Sequence, residues 1–379
     1  MKREEVFTLA VGLLGIFSAL GLGRFAYTVI LEPMKNGLML NYTEMGAIAS
    51  ANFFGYVLFS PLAGYLASKY GTKRIVVSSL LLVAITLFLT SFSIGFLDAG
   101  FYRFLTGIGS AGVNVGLVGL AAKWFEIEKR GFALGIINTG SSIGIIFAGF
   151  TLPLVILSYD WRAGWQFLAA IALAVFVLSL RLKETPEKFV SESKIPLGMV
   201  YRERRLVFLG ISYIFFGSSY IIFVTFFSSH LINIGLRYEA SSFLWSLLGF
   251  LSIAGAIIWG KASDRIGRKR ALQMVYSIMG AGFILFGLSN TIYSAFLATV
   301  IAGLSMLSIP PLVQAYCGDI AGKSSASAAI GFVTLFFGAG QMFGPSFGGY
   351  LADVTGSFLL PLISAGVMSF AGAVLMRKT

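Results

Sequence analysis

The sequence predicts an all-α membrane protein: twelve transmembrane helices in two related six-helix halves. Three observations predict it. Hydrophobic residues make up 57% of the 379 residues and charged residues only 12%, and mean hydropathy is +0.87. A water-soluble fold of this length cannot cover so much apolar surface, so lipid is the solvent. The apolar stretches are also continuous, about 20–25 residues each, rather than alternating, which selects helices over the strands of a barrel. Finally, two loops just over half the chain apart spell nearly the same thing. One reads Gly64-Tyr-Leu-Ala-Ser68-Lys-Tyr-Gly71-Thr-Lys-Arg74, the other Gly260-Lys-Ala-Ser-Asp264-Arg265-Ile-Gly267-Arg268-Lys-Arg270.

The first span, 7–30, follows Met1-Lys-Arg; its apolar run is too long for a signal peptide and lacks a small-residue cleavage site, so it is read as a retained helix. The second and third, 44–67 and 75–96, flank the first of the paired loops. The fourth, 99–122, begins after Asp98, and the fifth, 131–157, follows the basic segment Lys123 to Arg130. The sixth, 164–182, follows Asp160 and Arg162. The only long polar stretch, with Pro186 and Pro196, then joins the halves, giving units 1–182 and 206–379 with a linker 183–205. The seventh and eighth spans, 206–230 and 240–262, are separated by Arg237 and Glu239, and the second paired loop leads into the ninth, 271–290. The tenth, eleventh and twelfth are 292–317, 326–350 and 356–376, bounded by Lys323, Asp353 and Arg377.

The net charge of +12 does not call for nucleic acid, because the cations cluster between spans. With both termini in the cytoplasm, cytoplasmic segments hold 23 of the 28 Lys and Arg and the outer loops three. That bias predicts a multi-pass protein of the inner (plasma) membrane with both termini inside. The cluster Arg202-Glu-Arg-Arg205 reads either as a topogenic signal or as a contact for anionic lipid heads. A single cysteine, Cys317, excludes an intramolecular disulfide and a cysteine metal cluster, and with His230 the only histidine neither a metal site nor a histidine-based triad is expected. No cofactor or metal is expected.

These motifs resemble the major facilitator superfamily along the whole chain. The second paired loop resembles the superfamily's signature loop: glycine, three residues, aspartate, a basic residue, any residue, glycine, then basic residues. The first copy departs from it, with Ser68 where the aspartate usually stands. Arg103-Phe-Leu-Thr-Gly107-Ile-Gly109 resembles the fourth-helix arginine–glycine motif. The glycines Gly135, Gly140 and Gly144 resemble the fifth helix, and Gly340-Gln341-Met-Phe-Gly344-Pro345 the eleventh. The stretch Gly21 to Tyr27 resembles a bacterial subgroup of uncertain substrate.

The resemblance implies a secondary transporter that works by alternating access, with a site near the bilayer midplane. It also implies that Gly64, Ser68, Gly71, Arg74, Gly260, Asp264, Arg265, Gly267 and Arg268 form gating loops, with Asp264 as the charged latch. Ser68 retains a hydroxyl that can bond a helix N-terminus but carries no charge, so the second loop is expected to do most of the gating.

Charge within a membrane is expensive, about 2.5–3.5 kcal/mol per residue on insertion scales, and marks function by default. Arg181 and Lys261 stand at cytoplasmic span ends; Arg24 and Arg103 are the cations left inside spans, and every one of the 16 acidic residues falls in a loop or near a span end. By three-and-four spacing Arg24 shares a face with Tyr27 and Thr28, and Arg103 with Gly107, Ser110 and Asn114. Two cations beside tyrosine and asparagine suit a carboxylate or another small organic anion. The structural alternative is that Arg103 pairs with Asp98 or Glu32 or caps backbone carbonyls, and that Arg24 pairs with Glu32. Further cavity candidates are Asn52, Tyr56, Asn138, Tyr213, Tyr220, Trp245, Gln314, Tyr316 and Gln341; Tyr213 and Tyr220, seven apart, share one face. Glu32 is the candidate proton site, while a uniporter or exchanger would need none. Efflux of hydrophobic, drug-like compounds is the second transport reading. A non-transporting sensor on the same fold is a different class. An enzyme is not expected: there is no nucleophile–base pair and no G-x-x-x-x-G-K-[ST] loop. The expected partners are a small-molecule substrate, the bilayer and a coupling proton, and the chain is expected to be a monomer.

Overall fold

The computed structural model describes residues 3–184 and 202–379. Among these residues every regular element is a helix, and twelve stretches are long and apolar enough to cross a membrane. The shortest, Thr72–Thr90 and Trp161–Ser179, have 19 residues, about 28 Å at 1.5 Å per residue and just enough for a hydrocarbon core. Of the expected linker, residues 185–201 lie outside the described residues.

The chain divides into two compact units, Met1–Leu40 with Ala47–Ser191, and Asn41–Gly46 with Glu192–Thr379. In unit 1 the first span is not one α-helix. It runs as α1 (Arg3–Ile16), a π-helical segment (Phe17–Phe25) and α2 (Tyr27–Leu38). The body of α3 (Tyr42–Tyr70) follows, then α4 (Thr72–Thr90), α5 (Phe96–Trp124), α6 (Ile127–Ser158) and α7 (Trp161–Ser179). Small residues set the packing distances, as lipid supplies no hydrophobic drive between helices. A Cβ on Gly107 of α5 would stand 1.9 Å from the Asn52 carbonyl oxygen of α3, and one on Gly144 of α6 would stand 2.3 Å from the Gly21 Cα. Gly107 and Gly109 of the fourth-helix motif and Gly140 and Gly144 of the fifth are thus explained by backbone approach, whereas a Cβ on Gly135 would meet nothing within 4 Å.

Unit 2 holds α8 (Arg204–Asn233), α9 (Tyr238–Ile266), α10 (Arg268–Gly287), α11 (Ile292–Met306), α12 (Ile309–Thr355) and α13 (Leu359–Leu375), ending in a 3₁₀ turn, Met376–Lys378. The tenth span combines α11 with the first stretch of α12, which breaks at Gly322 (φ 74°, ψ 164°) before the eleventh. Helix α8 lies against α12 and α13: the Ser212 and Ser219 hydroxyls donate to the Gly372 and Ala365 carbonyls, and that of Ser218 to Gly340. Within this unit the Asp353 carboxylate caps the first turn of α3, accepting from Tyr42 N–H at 3.0 Å, Thr43 N–H at 2.7 Å and the Thr43 hydroxyl at 2.6 Å.

Candidate functional site

Both intramembrane arginines lie in unit 1, and aromatic rings hold them. The Arg24 Cζ sits 4.6 Å from the centre of the Phe53 ring and 4.5 Å from that of Tyr56, one turn apart on α3. The Arg103 Cζ sits 5.3 Å from Tyr27 and 5.1 Å from Trp165. Ring faces attract a guanidinium through their quadrupole but accept no directed hydrogen bond in its plane. The consequence is visible in the donors: Nε and Nη2 of Arg24, and Nε and Nη1 of Arg103, are buried without a hydrogen-bond partner. Nε and Nη2 form one edge of the guanidinium, the fork that takes a carboxylate in two parallel bonds.

The structural alternative is not what the side chains do. Asp98 caps its own helix, accepting from Ile94 N–H at 2.7 Å and Gly95 N–H at 3.0 Å. Glu32, 7% exposed, lies 3.8 Å from Lys35, and its Oε1 is unpartnered. No carboxylate lies within ion-pair distance of Arg24 or Arg103 among the described residues.

The expected faces need one correction. Tyr27 lies over Arg103, whereas Arg24 goes to Phe53 and Tyr56. The cause is the π-helical segment. It closes i→i+5 bonds, such as Ala26 N–H to the Gly21 carbonyl at 3.0 Å, so three-and-four spacing does not hold across it. Asn114 reaches the same region, its Nδ2 donating to the Tyr56 hydroxyl at 2.6 Å. Asn52, one turn from Tyr56, donates to the Arg103 carbonyl at 3.0 Å and ties α3 to α5. Ser110, expected beside Arg103, donates to the Ala19 carbonyl of the π segment at 2.8 Å. Asn138 is exposed on α6.

In unit 2 Tyr213 and Tyr220 do share a face. Phe337 stacks on both, with ring centres 4.5 and 5.7 Å away, and Phe216 stacks between them. Gln341 donates to the Tyr220 hydroxyl. Gln314 is exposed. His230 is buried against Phe286, its Nε2 3.3 Å from the Ser289 hydroxyl.

The paired loops turn at glycines with positive φ, Gly71 at 98° and Gly267 at 85°, where an L side chain would be strained. Gly64 and Gly260 lie one helix turn or more upstream, and Arg74 and Arg265 are exposed. In the second loop Arg268 holds both Asp319 oxygens, at 2.6 and 2.7 Å, and stands 3.9 Å from Asp264. In the first, the Ser68 hydroxyl turns back to the Tyr65 carbonyl at 2.7 Å rather than to a helix N-terminus. Glu184 takes that place, accepting from Thr72 N–H at 2.8 Å, the Thr72 hydroxyl at 3.0 Å and Lys73 N–H at 3.2 Å. The first loop, without an acid of its own, therefore has one supplied from beyond the sixth span. Sequence reasoning missed both Glu184 and Asp319, which only tertiary structure brings to the loops.

A family model described as "Uncharacterised MFS-type transporter YbfB" matches residues 16–377. The chain is similar to the hexuronate transporter of Bacillus subtilis, 23% identical over 94% of this chain and 90% of that one. A probable sulfoacetate transporter of Cupriavidus necator is 24% identical over 93% and 88%, and multidrug resistance protein 2 of Bacillus subtilis 25% over 98% and 94%. Among solved structures, a bacterial homologue of the lysosomal transporter Spinster superposes with a TM-score of 0.83, covering 100% of this chain and 97% of that one at 16% identity. The nucleoside transporter NupG gives 0.82, covering 97% and 99% at 15% identity, a likeness of fold.

Proposed function

Since the chain belongs to the major facilitator superfamily, in the YbfB-type family, and is a multi-pass membrane transporter rather than an enzyme, we propose that it carries a small organic anion, a carboxylate, by alternating access. One observation carries this reading: the Arg24 fork, Nε with Nη2, stands buried without a hydrogen-bond partner. An unpaired buried charged donor costs more than a neutral one, so such a group persists where a ligand completes it. Arg103 adds a second positive charge, and Tyr27, Tyr56 and Asn114 supply polar neighbours. Relatives named for hexuronate and sulfoacetate support an anionic substrate.

On this reading Asn138, Tyr213, Tyr220, Gln314 and Gln341 are further substrate contacts, and each half is a six-helix bundle. The paired loops, with Asp264, gate the cytoplasmic side. Glu32, buried with a free oxygen, is the group through which a proton would couple. The chain works as a monomer in the inner membrane with both termini inside. Efflux of hydrophobic compounds is the second reading, favoured by the stacked wall of Tyr213, Phe216, Tyr220 and Phe337 and by the multidrug relative.

Uptake of a panel of radiolabelled carboxylates into proteoliposomes, with and without a pH gradient, tests the reading in wild type and Arg24→Gln. Loss of two bonds to a carboxylate, each about 1.5–3 kcal/mol, lowers uptake at subsaturating substrate by about a hundredfold or more. Unchanged carboxylate uptake in Arg24→Gln overturns it.

A further inference from the structure

The corner of unit 2 where α8 begins and the 3₁₀ turn ends is rich in cations, and its one acid, Glu203 at the N-cap of α8, is turned to the Arg205 N–H at 3.3 Å. Arg204 and Arg205 stand in the first turn of α8, which holds no acid, although the start of a helix is already its positive end. Arg205 is committed to the last turn: its Nε donates to the Thr379 carbonyl at 2.7 Å and its Nη2 to the Tyr316 hydroxyl at 3.3 Å. Lys269 donates to the Arg377 carbonyl at 3.0 Å. These bonds hold the turn that carries Arg377 and Lys378 against the start of α8. As a result two cations share one ring: the Arg204 Cζ lies 5.4 Å, and the Lys378 Nζ 5.3 Å, from the centre of Phe208. Among the described residues no Asp or Glu lies within ion-pair distance of Arg204, Lys269, Arg377 or Lys378. Two cations against one ring, neither with an acid within ion-pair distance, suit an anion from outside the chain.

The position says which anion. Arg204 opens the span Arg204–Asn233 and Lys378 closes the span Leu359–Lys378, so both stand at the edge of the apolar layer. Phe208 is one turn further in, and Val374, one turn before Lys378, is 58% exposed. A polar head and an apolar tail are thus matched at adjoining places, which a soluble phosphate would use only in part.

We propose that this corner binds an anionic phospholipid, its phosphate between Arg204 and Lys378 and an acyl chain along Phe208 and Val374. Native mass spectrometry of protein released from nanodiscs of equal phosphatidylglycerol and phosphatidylcholine tests it. Wild type retains phosphatidylglycerol in preference. Arg204→Gln/Lys378→Gln retains at least fivefold less, whereas Lys69→Gln/Lys73→Gln, with the same loss of charge elsewhere, retains as much as wild type. Equal retention in the two double variants overturns the proposal, as does equal retention of phosphatidylcholine. Displacement of the lipid by millimolar glycerol phosphate also overturns it, because the acyl contact would then contribute nothing. If the double variant does not fold, the single variants Arg204→Gln and Lys378→Gln carry the same comparison.

Discussion

Replacing Arg103 by methionine separates a structural arginine from one kept for an anion. Its side chain is 1% exposed and among the largest that are fully buried. Removing the guanidinium forfeits two aromatic contacts, at 5.3 and 5.1 Å, about 2 kcal/mol each when desolvated, or about 4 kcal/mol together. It also removes the two donors that have no partner, Nε and Nη1, each a burden of about 1–3 kcal/mol, or about 2–6 kcal/mol together. Methionine, unbranched and adaptable, refills most of the space. The two sums nearly cancel, so stability changes by about 2 kcal/mol at most, in either direction. An arginine paired with a buried carboxylate behaves otherwise: its removal strands the acid and costs about 3–5 kcal/mol. The assay is unfolding by SDS titration in mixed micelles, run beside proteoliposome uptake of the best carboxylate. Near-wild-type stability with uptake reduced at least tenfold is the expected pair of results. A stability loss of 3 kcal/mol or more refutes the cancellation, and intact uptake refutes the role of Arg103 in attracting the anion.

Three further changes have expected outcomes. Gly107→Ala places a methyl 1.9 Å from the Asn52 carbonyl oxygen, forcing α3 and α5 apart at a cost of about 3 kcal/mol or more; a wild-type SDS midpoint contradicts this. Glu184→Gln weakens the cap on α4 by about 0.5–1 kcal/mol, discounted for the exposure of the acid, so the amides of Thr72 and Lys73 exchange hydrogen several-fold faster while those of α5 do not. Asp353→Ala releases both amides at the start of α3 and costs about 1–2 kcal/mol, read as faster exchange at Tyr42 and Thr43; unchanged exchange there shows that the cap contributes little.

What could be read in the sequence is what lipid imposes directly. Every span was legible because about 20 apolar residues are the minimum that crosses a bilayer. The paired loops were legible because a tight reversal demands glycine, as the positive φ of Gly71 and Gly267 shows. Arg24 and Arg103 announced themselves as charges in the wrong solvent. Their companions did not: Phe53 and Trp165 look like any of the 36 phenylalanines and five tryptophans, and only helix packing sets them under a guanidinium. Glu184 looked like one charge in a polar linker, yet it caps a helix that begins 112 residues earlier. Neither contact leaves a periodic trace, so no count of spacings could find it.

The π-helical segment Phe17–Phe25 gives chain length itself a meaning at this place. Each i→i+5 turn takes up roughly one residue more than an α-turn, so the segment works as a store of surplus residues inside a span. Deleting one of them need not shorten the helix enough to leave the membrane. Instead it would rotate the twelve residues of α2 about their axis by about 100°, one α-helical step, carrying Tyr27 and Glu32 away from their present neighbours. Single-residue gaps here, which elsewhere in a span would count as defects, are a means by which such a transporter could change what its first helix presents to a solute without exchanging a single side chain.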